Sequence, residues 1–227
     1  NQNLKTNNKI NNNLDFKSSE FMKVVFLNKE YLNLNEKIKF IKENKFNLGF
    51  THHHEISKYE KLTKIKFHQI PFAFSSNLLN QQNKKKYYDI CFTGVLQNQN
   101  KNSFQSDIRL KVMKVFFITL FDIPIFKRKR FKDINVYWNT IPRYKFGKII
   151  KKIFFKSLNN DQYIEILKNS KISLNFLSPI NLISPRYFES VACGARILCE
   201  ESDLYKNLFK DYDLKQFKSN LSDFENS

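Results

Sequence analysis

Short apolar runs alternate with amphipathic stretches along most of the chain, and the alternation restarts once. Phe21 to Leu27 (FMKVVFL) reads as a short buried strand. Leu34 to Asn44 (LNEKIKFIKEN) carries a helical period, with Ile38 and Ile41 turned inward. Phe46 to Thr51 is a second strand and runs into His52-His53-His54-Glu55. Ile56 to Leu62 reads as a short helix, and Lys66 to Ile70 as a third strand stopped by Pro71. The first part of the chain therefore predicts β-α-β-α-β.

A polar stretch without period follows, and then the pattern resumes. Tyr88 to Thr93 (YDICFT) is a strand closed by a turn at Gly94. Helices are expected at Ser106–Phe121, Asp161–Asn169, Pro185–Cys193 and Asp203–Phe209. Strands are expected at Asn135–Trp138, Ile172–Leu177 and Arg196–Cys199. Such alternation predicts an α/β fold, with Rossmann-like parallel sheets and helices on both faces. The expected organisation has four parts. Residues 1–20 are an Asn/Lys-rich, disordered segment, and 21–74 are the C-terminal part of an incomplete N-terminal Rossmann-like domain. Residues 75–86 are a linker, and 87–227 are a second Rossmann-like domain. In such sheets ligands bind beyond the carboxyl ends of the strands.

Composition narrows the classes. With 41% apolar residues and 24 Phe among 227, a packed core is within reach and global disorder is excluded. Three cysteines (Cys91, Cys193, Cys199) in apolar contexts make neither a disulfide scaffold nor a zinc site, and suggest a reducing compartment. Val112 to Phe126 is the longest membrane-span candidate, but it is too short and holds Lys114 and Asp122. No signal peptide is read at the N-terminus, and a cytoplasmic location is expected. The net charge of +18 invites a nucleic-acid reading, yet only six of the 39 basic residues are Arg, the residue that reads bases in bidentate fashion. Heavy use of Asn, Lys, Ile and Phe is the pattern of an AT-rich genome, so nucleic acid is not the expected partner. The densest basic zones, Lys127 to Arg130 and Arg143 to Lys156, fit either a solvated face or peripheral contact with an anionic membrane surface.

The chemistry concentrates in NFLSPINLISPRYFESVACGARILC, Asn175 to Cys199. A buried strand ends, a loop follows, and a short helix begins with Ser184 as N-cap and Pro185 in its first turn. Gly194 suits the left-handed residue just past the helix end. Free N–H groups and the helix dipole make the helix start an anion site suited to phosphate. Arg186 adds a bidentate donor for a diphosphate. Glu189, three residues on, is placed to accept from ribose hydroxyls. The alternative for this pair is a plain i,i+3 ion pair on a capped helix.

SPRYFESVACGARIL resembles the donor-binding segment of GT-B glycosyltransferases, closest to the CgeB-like branch of the glycosyl transferases group 1 type. YDICFTG (Tyr88 to Gly94) resembles that family's first strand and turn of the C-terminal domain. LKNSKISLNFLSP (Leu167 to Pro179) resembles the helix and strand before the donor loop, and Ile70-Pro71-Phe72-Ala73 the exit from the N-terminal domain. The resemblance implies transfer of a sugar from a nucleotide-diphosphate sugar to a glycan, lipid-linked or other cell-envelope acceptor, with no cofactor and no bound metal. It implies that Glu189 contacts the ribose and that a loop at Gly94 approaches the donor phosphate or the acceptor. Many retaining relatives carry a second Glu eight residues before that one; here the position is Asn181.

Other candidates stay open. His52 and His54 are candidate catalytic bases facing an interdomain cleft; acceptor or phosphate contact, a solvated strand end or a metal site are the alternatives for the His triplet. Arg109 is either a phosphate ligand at the start of the long helix or a surface residue, and Lys101 is a weaker candidate of the same kind. Tyr137 and Trp138 either stack on a base or pack in the core, the better fit. The competing functional classes are a basic nucleic-acid or anionic-polymer binder and a GT-B-like module that binds without turnover.

Overall fold

The computed structural model describes residues 20–28, 32–79, 85–96, 104–119, 127–142, 158–178, 182–209 and 214–224. The chain divides into two compact units, Asn1–Phe72 and Ala73–Ser227.

In the first unit, β1 (Val24–Leu27), α1 (Leu34–Glu43), β2 (Leu48–Thr51), α2 (Ile56–Thr63) and β3 (Lys66–Gln69) follow the predicted order. The strands form a parallel sheet in the order β1-β2-β3, with Val25 opposite Gly49 and Gly49 opposite Phe67. Period-two alternation buries Val25, Leu27 and Phe67 against Ile41 of α1 and Tyr59 of α2. Glycine at position 49 leaves the Phe67 ring the space that a Cβ would take. Both crossovers step in the same direction, which sets both helices on one face. Val24 and Phe26 point the other way and are exposed. In this unit the described helices, α1 and α2, lie on the same face of the sheet.

The second unit opens with a 3₁₀ turn at Ser76–Leu78, followed by β4 (Tyr88–Leu96), α3 (Phe104–Phe116), β5 (Phe117–Thr119) and β6 (Lys127–Lys129). Then come β7 (Val136–Pro142), α4 (Asn160–Lys168), β8 (Ser170–Asn175) and α5 (Pro185–Ala192). The unit closes with β9 (Arg196–Glu200), α6 (Asp203–Leu208) and β10 (Leu214–Phe217). Five strands make one parallel sheet in the order β10-β9-β8-β4-β7. One face packs Phe92, Trp138, Leu174, Leu198 and Phe217 against Ile108, Val112 and Met113 of α3. The other face packs Cys91 against α4 and α5, and Ile197 and Cys199 against α5 and α6. Helices thus cover both faces here, the Rossmann-like α/β arrangement the alternation predicts.

The sequence reading missed β5, β6 and β10. β5 follows α3 without a break, inside an apolar run that reads as continuing helix, and only its antiparallel pairing with β6 makes it a strand. β10 has one fully buried side chain, Phe217, among four residues, too weak a pattern to stand out. A larger correction concerns Gly94. It lies inside β4, opposite Thr140 of β7, and turns no corner. Gly194 is the glycine at a turn. Its φ is 72°, and Ala195 N donates to the Ser190 carbonyl (3.0 Å) while Gly194 N donates to Val191 (2.9 Å). These two bonds close the helix end in the Schellman pattern.

Within the expected linker, Lys86 has a defined place. Its ammonium donates to the carbonyls of Lys168 (2.6 Å) and Cys193 (3.2 Å), at the C-terminal ends of α4 and α5. A cation there meets the negative ends of two helix dipoles and ties the entry of β4 to both.

The topology creates one crevice. From β4 the chain steps outward to β7 and then returns past β4 to β8, from which it continues the other way to β9 and β10. The connections after β4 and β8 therefore leave in opposite directions, and the gap at their carboxyl ends is a switch point of the kind that holds ligands in open parallel sheets. No helix among the described residues is long and apolar enough to cross a membrane.

Candidate functional site

Helix α5 begins at this crevice. Ser184 occupies the N-cap with extended dihedrals, and Pro185 is the first helical residue. The Ser184 side chain makes no capping bond, contrary to expectation. The reason is local: Tyr187 N, the donor a serine cap would take, already bonds the Ser184 carbonyl at 3.2 Å. The helix is clamped to the sheet by Ser190, whose hydroxyl lies 2.7 Å from the Arg186 carbonyl and 2.8 Å from Ser173 Oγ on β8. Tyr187 and Tyr205 stack with centroids 4.5 Å apart beneath it.

Arg186 reaches from the first turn of α5 to the end of β4. A Cβ placed on Gly94 would sit 3.4 Å from Arg186 Nη1 and 2.8 Å from the Phe92 ring. A Cβ at position 94 would crowd the buried Phe92 ring and only touch Arg186, so the glycine serves packing here and not a turn. The Arg186 Nε is buried and has no hydrogen-bond partner among the described residues. Arg109, on α3 after β4, lies with its guanidinium carbon 5.6 Å from the centroid of Phe176, which follows β8. Burial and then the neighbouring Arg186 charge push the Arg109 guanidinium down to about 10, with Glu200 pulling it back up. Two guanidiniums thus share one partly dry crevice between β4 and β8, an arrangement that an anion relieves.

Glu189 does not pair with Arg186 among the described residues. Its Oε2 accepts from the Tyr163 hydroxyl of α4 at 2.8 Å. Tyr163 is a site residue that the sequence reading missed, because nothing local links α4 to α5. Glu200 is another. It is 2% exposed at the end of β9, where Oε2 accepts from Leu177 N (3.3 Å) and Oε1 from Ser219 Oγ (2.6 Å). It ties the start of the β8–α5 loop to the sheet and faces the Arg109 charge.

The histidines belong to the first unit and lie just past β2, in the turn before α2. His53 is the buried one: its N donates to Thr51 Oγ1 and its Nδ1 accepts from Glu55 N, both at 3.1 Å. His52 donates Nδ1–H to the Ile70 carbonyl at 2.7 Å and stacks on Phe72, centroids 3.8 Å apart. His54 stacks on His53, and burial, followed by the His53 charge, lowers its pKa against the pull of Glu55. No group of three or more His, Cys, Asp or Glu among the described residues is placed to hold a metal ion.

Trp138 is 6% exposed and packs on Phe92, while Tyr137 packs on Tyr88, so both fill the fold and the base-stacking alternative falls away. The three cysteines are free and buried, and burial pushes Cys193 up to about 11 and Cys199 up to about 12. Lys101, Asn181 and the basic stretch Arg143 to Lys156 lie outside the described residues.

Arg109 carries a prediction of its own. Because its folded-state value is depressed, the unfolded chain binds more protons above about pH 10, and stability rises with pH only there. Below that range the guanidinium is charged in both states. Binding of a diphosphate is therefore expected to change less than about twofold between about pH 7.5 and about pH 9, with no proton uptake. Calorimetry in two buffers of different ionisation enthalpy checks this; uptake of a proton would show that Arg109 starts neutral.

Residues 125–226 match the model of a family described as glycosyl transferase-like. The matched stretch runs from β6 to the end of the described chain and includes Arg186, Glu189, Tyr163 and Glu200. A search of curated proteins found no significant match. The match supports glycosyl transfer in general, and with it a sugar donor and an acceptor.

Proposed function

We propose that the second unit is the donor-binding domain of a GT-B glycosyltransferase of the CgeB-like branch, acting on a nucleotide-diphosphate sugar. The observation that carries this reading is the pair of guanidiniums, Arg186 and Arg109, at the β4/β8 switch point beside the start of α5. The family match over residues 125–226 supports it. In the transfer, the bond between the anomeric carbon and the diphosphate oxygen breaks, and a bond to an acceptor hydroxyl oxygen forms as that hydroxyl loses its proton. The charge left on the departing diphosphate is stabilised by the Arg186 and Arg109 guanidiniums and by the Arg186 backbone N–H at the positive end of the α5 dipole, fixed in place before reaction. These groups take the part a divalent cation plays elsewhere, so the proposed transfer is metal-independent and needs no cofactor. Glu189 accepts from the ribose.

The proposed acceptor is a glycan or lipid-linked cell-envelope precursor, met at the cytoplasmic side of the membrane. Of the two histidine candidates for taking that proton, His52 is the better suited. Its Nδ1–H is spent on the Ile70 carbonyl, which leaves the lone pair on Nε2.

Thermal unfolding against UDP, GDP, dTDP, CMP and a single-stranded oligonucleotide, with Glu189→Ala in parallel, tests the reading. A nucleotide at about 100 times its Kd stabilises by about 2.7 kcal/mol. Stabilisation by one nucleoside diphosphate, reduced but still measurable in Glu189→Ala, is the expected result. A salt-sensitive shift with the oligonucleotide alone would replace the transferase reading with the basic-polymer one.

A further inference from the structure

Arg186 and Glu189 stand three residues apart on α5, a spacing at which opposite charges on a helix normally meet. Among the described residues no ion pair joins them. What stands at the acid is a hydroxyl from another helix: Tyr163 of α4 donates to Glu189 Oε2 at 2.8 Å. Burial pushes the phenol far above its ordinary range, against the lowering pull of the nearby Arg186 charge, so it stays protonated at neutral pH. Its single proton goes to the carboxylate, and its lone pairs remain for the guanidinium. We propose that Tyr163 is a positioning residue: its hydroxyl, interposed between Glu189 and Arg186, keeps the pair from closing on itself, so that Glu189 Oε1 faces the ribose and the guanidinium faces the diphosphate.

The inference rests on the donor-site reading above and adds to it a residue outside the recognised segment. It follows from competition for donors. A carboxylate satisfied by a guanidinium from its own helix has little left to offer a ligand, and the guanidinium loses its freedom to fork onto phosphate. A neutral donor on Oε2 fixes the carboxylate plane without consuming the cation. The second helix supplies this donor because α4 and α5 pack side by side on one face of the sheet, in the cluster that includes Ile164, Leu167 and Cys193.

Tyr163→Phe removes one oxygen and keeps the ring. For a nucleoside diphosphate that the wild type binds, the variant is expected to bind about tenfold more weakly. In a Glu189→Ala background the same change is expected to cost less than about twofold, because Tyr163 acts through Glu189. A role in packing alone predicts equal loss in both backgrounds, and that outcome overturns the proposal, as does full affinity in Tyr163→Phe. A crystal structure of Tyr163→Phe gives a second readout that needs no ligand. Arg186 and Glu189 are expected to close to within about 4 Å; a pair that stays apart overturns the spacer role. If the wild type binds no nucleotide, the donor-site reading fails, and that crystal structure still decides what Tyr163 does.

Discussion

Replacing Arg186 with glutamine is expected to weaken nucleoside diphosphate binding by about 100-fold, or about 2.7 kcal/mol. Arg186 is the guanidinium that lies against Gly94 near the end of β4, with a buried Nε that has no hydrogen-bond partner among the described residues. Charge-assisted bonds to phosphate each contribute roughly 1.5–3 kcal/mol, and a planar fork makes two of them. Glutamine keeps the helix propensity and much of the reach but carries no charge. The unliganded protein is expected to melt no lower, because the substitution removes the like charge that depresses Arg109. Calorimetric titration and unfolding of the same variant separate the two effects. Affinity within about twofold of wild type would remove Arg186 from the site.

Phe92→Ala is expected to destabilise the second unit by about 3–5 kcal/mol, measured by urea denaturation. Phe92 is 1% exposed and sits centrally under the crevice, with its ring 4.5 Å from Trp138 and edge-on to Phe176 at 5.2 Å. Phe176 in turn carries the Arg109 guanidinium. The cavity would thus open beneath both the strand end and the surface on which a phosphate-facing side chain rests. Against a total stability of about 5–15 kcal/mol for a domain, the loss is large. A cost below about 1 kcal/mol would mean that Trp138 and Phe176 collapse into the space, and that Phe92 is not the keystone of this face.

Much of this is legible in the sequence. Ile38 and Ile41 pointed inward because their spacing allows nothing else on an amphipathic helix, and both are buried. Ser184-Pro185 and Gly194 bounded α5 correctly, since helix ends are written in residues that satisfy or spare backbone donors and acceptors. Gly94 was read as a turn, and the error is instructive. Glycine marks either a special backbone angle or a close approach, and only the neighbours Phe92 and Arg186, one on its own strand and one 92 positions along the chain, reveal which. The Ser184 cap was likewise overruled by the carbonyl of the same residue.

By itself, then, the sequence determined the α/β class, the order of most elements, and the stretch in which phosphate-binding chemistry concentrates. These are properties of local periodicity and of helix ends, and they need no partner from elsewhere in the chain. Tertiary structure alone decided the strand order that places β4 beside β8, the pairing that turns Phe117–Thr119 into a strand, and the meeting of Arg109 with Arg186. It alone placed the Tyr163 hydroxyl on Glu189 and the Glu200 carboxylate on Leu177. Each of these depends on which distant segments pack together, and burial against a partner carries no signature in the spacing of either one.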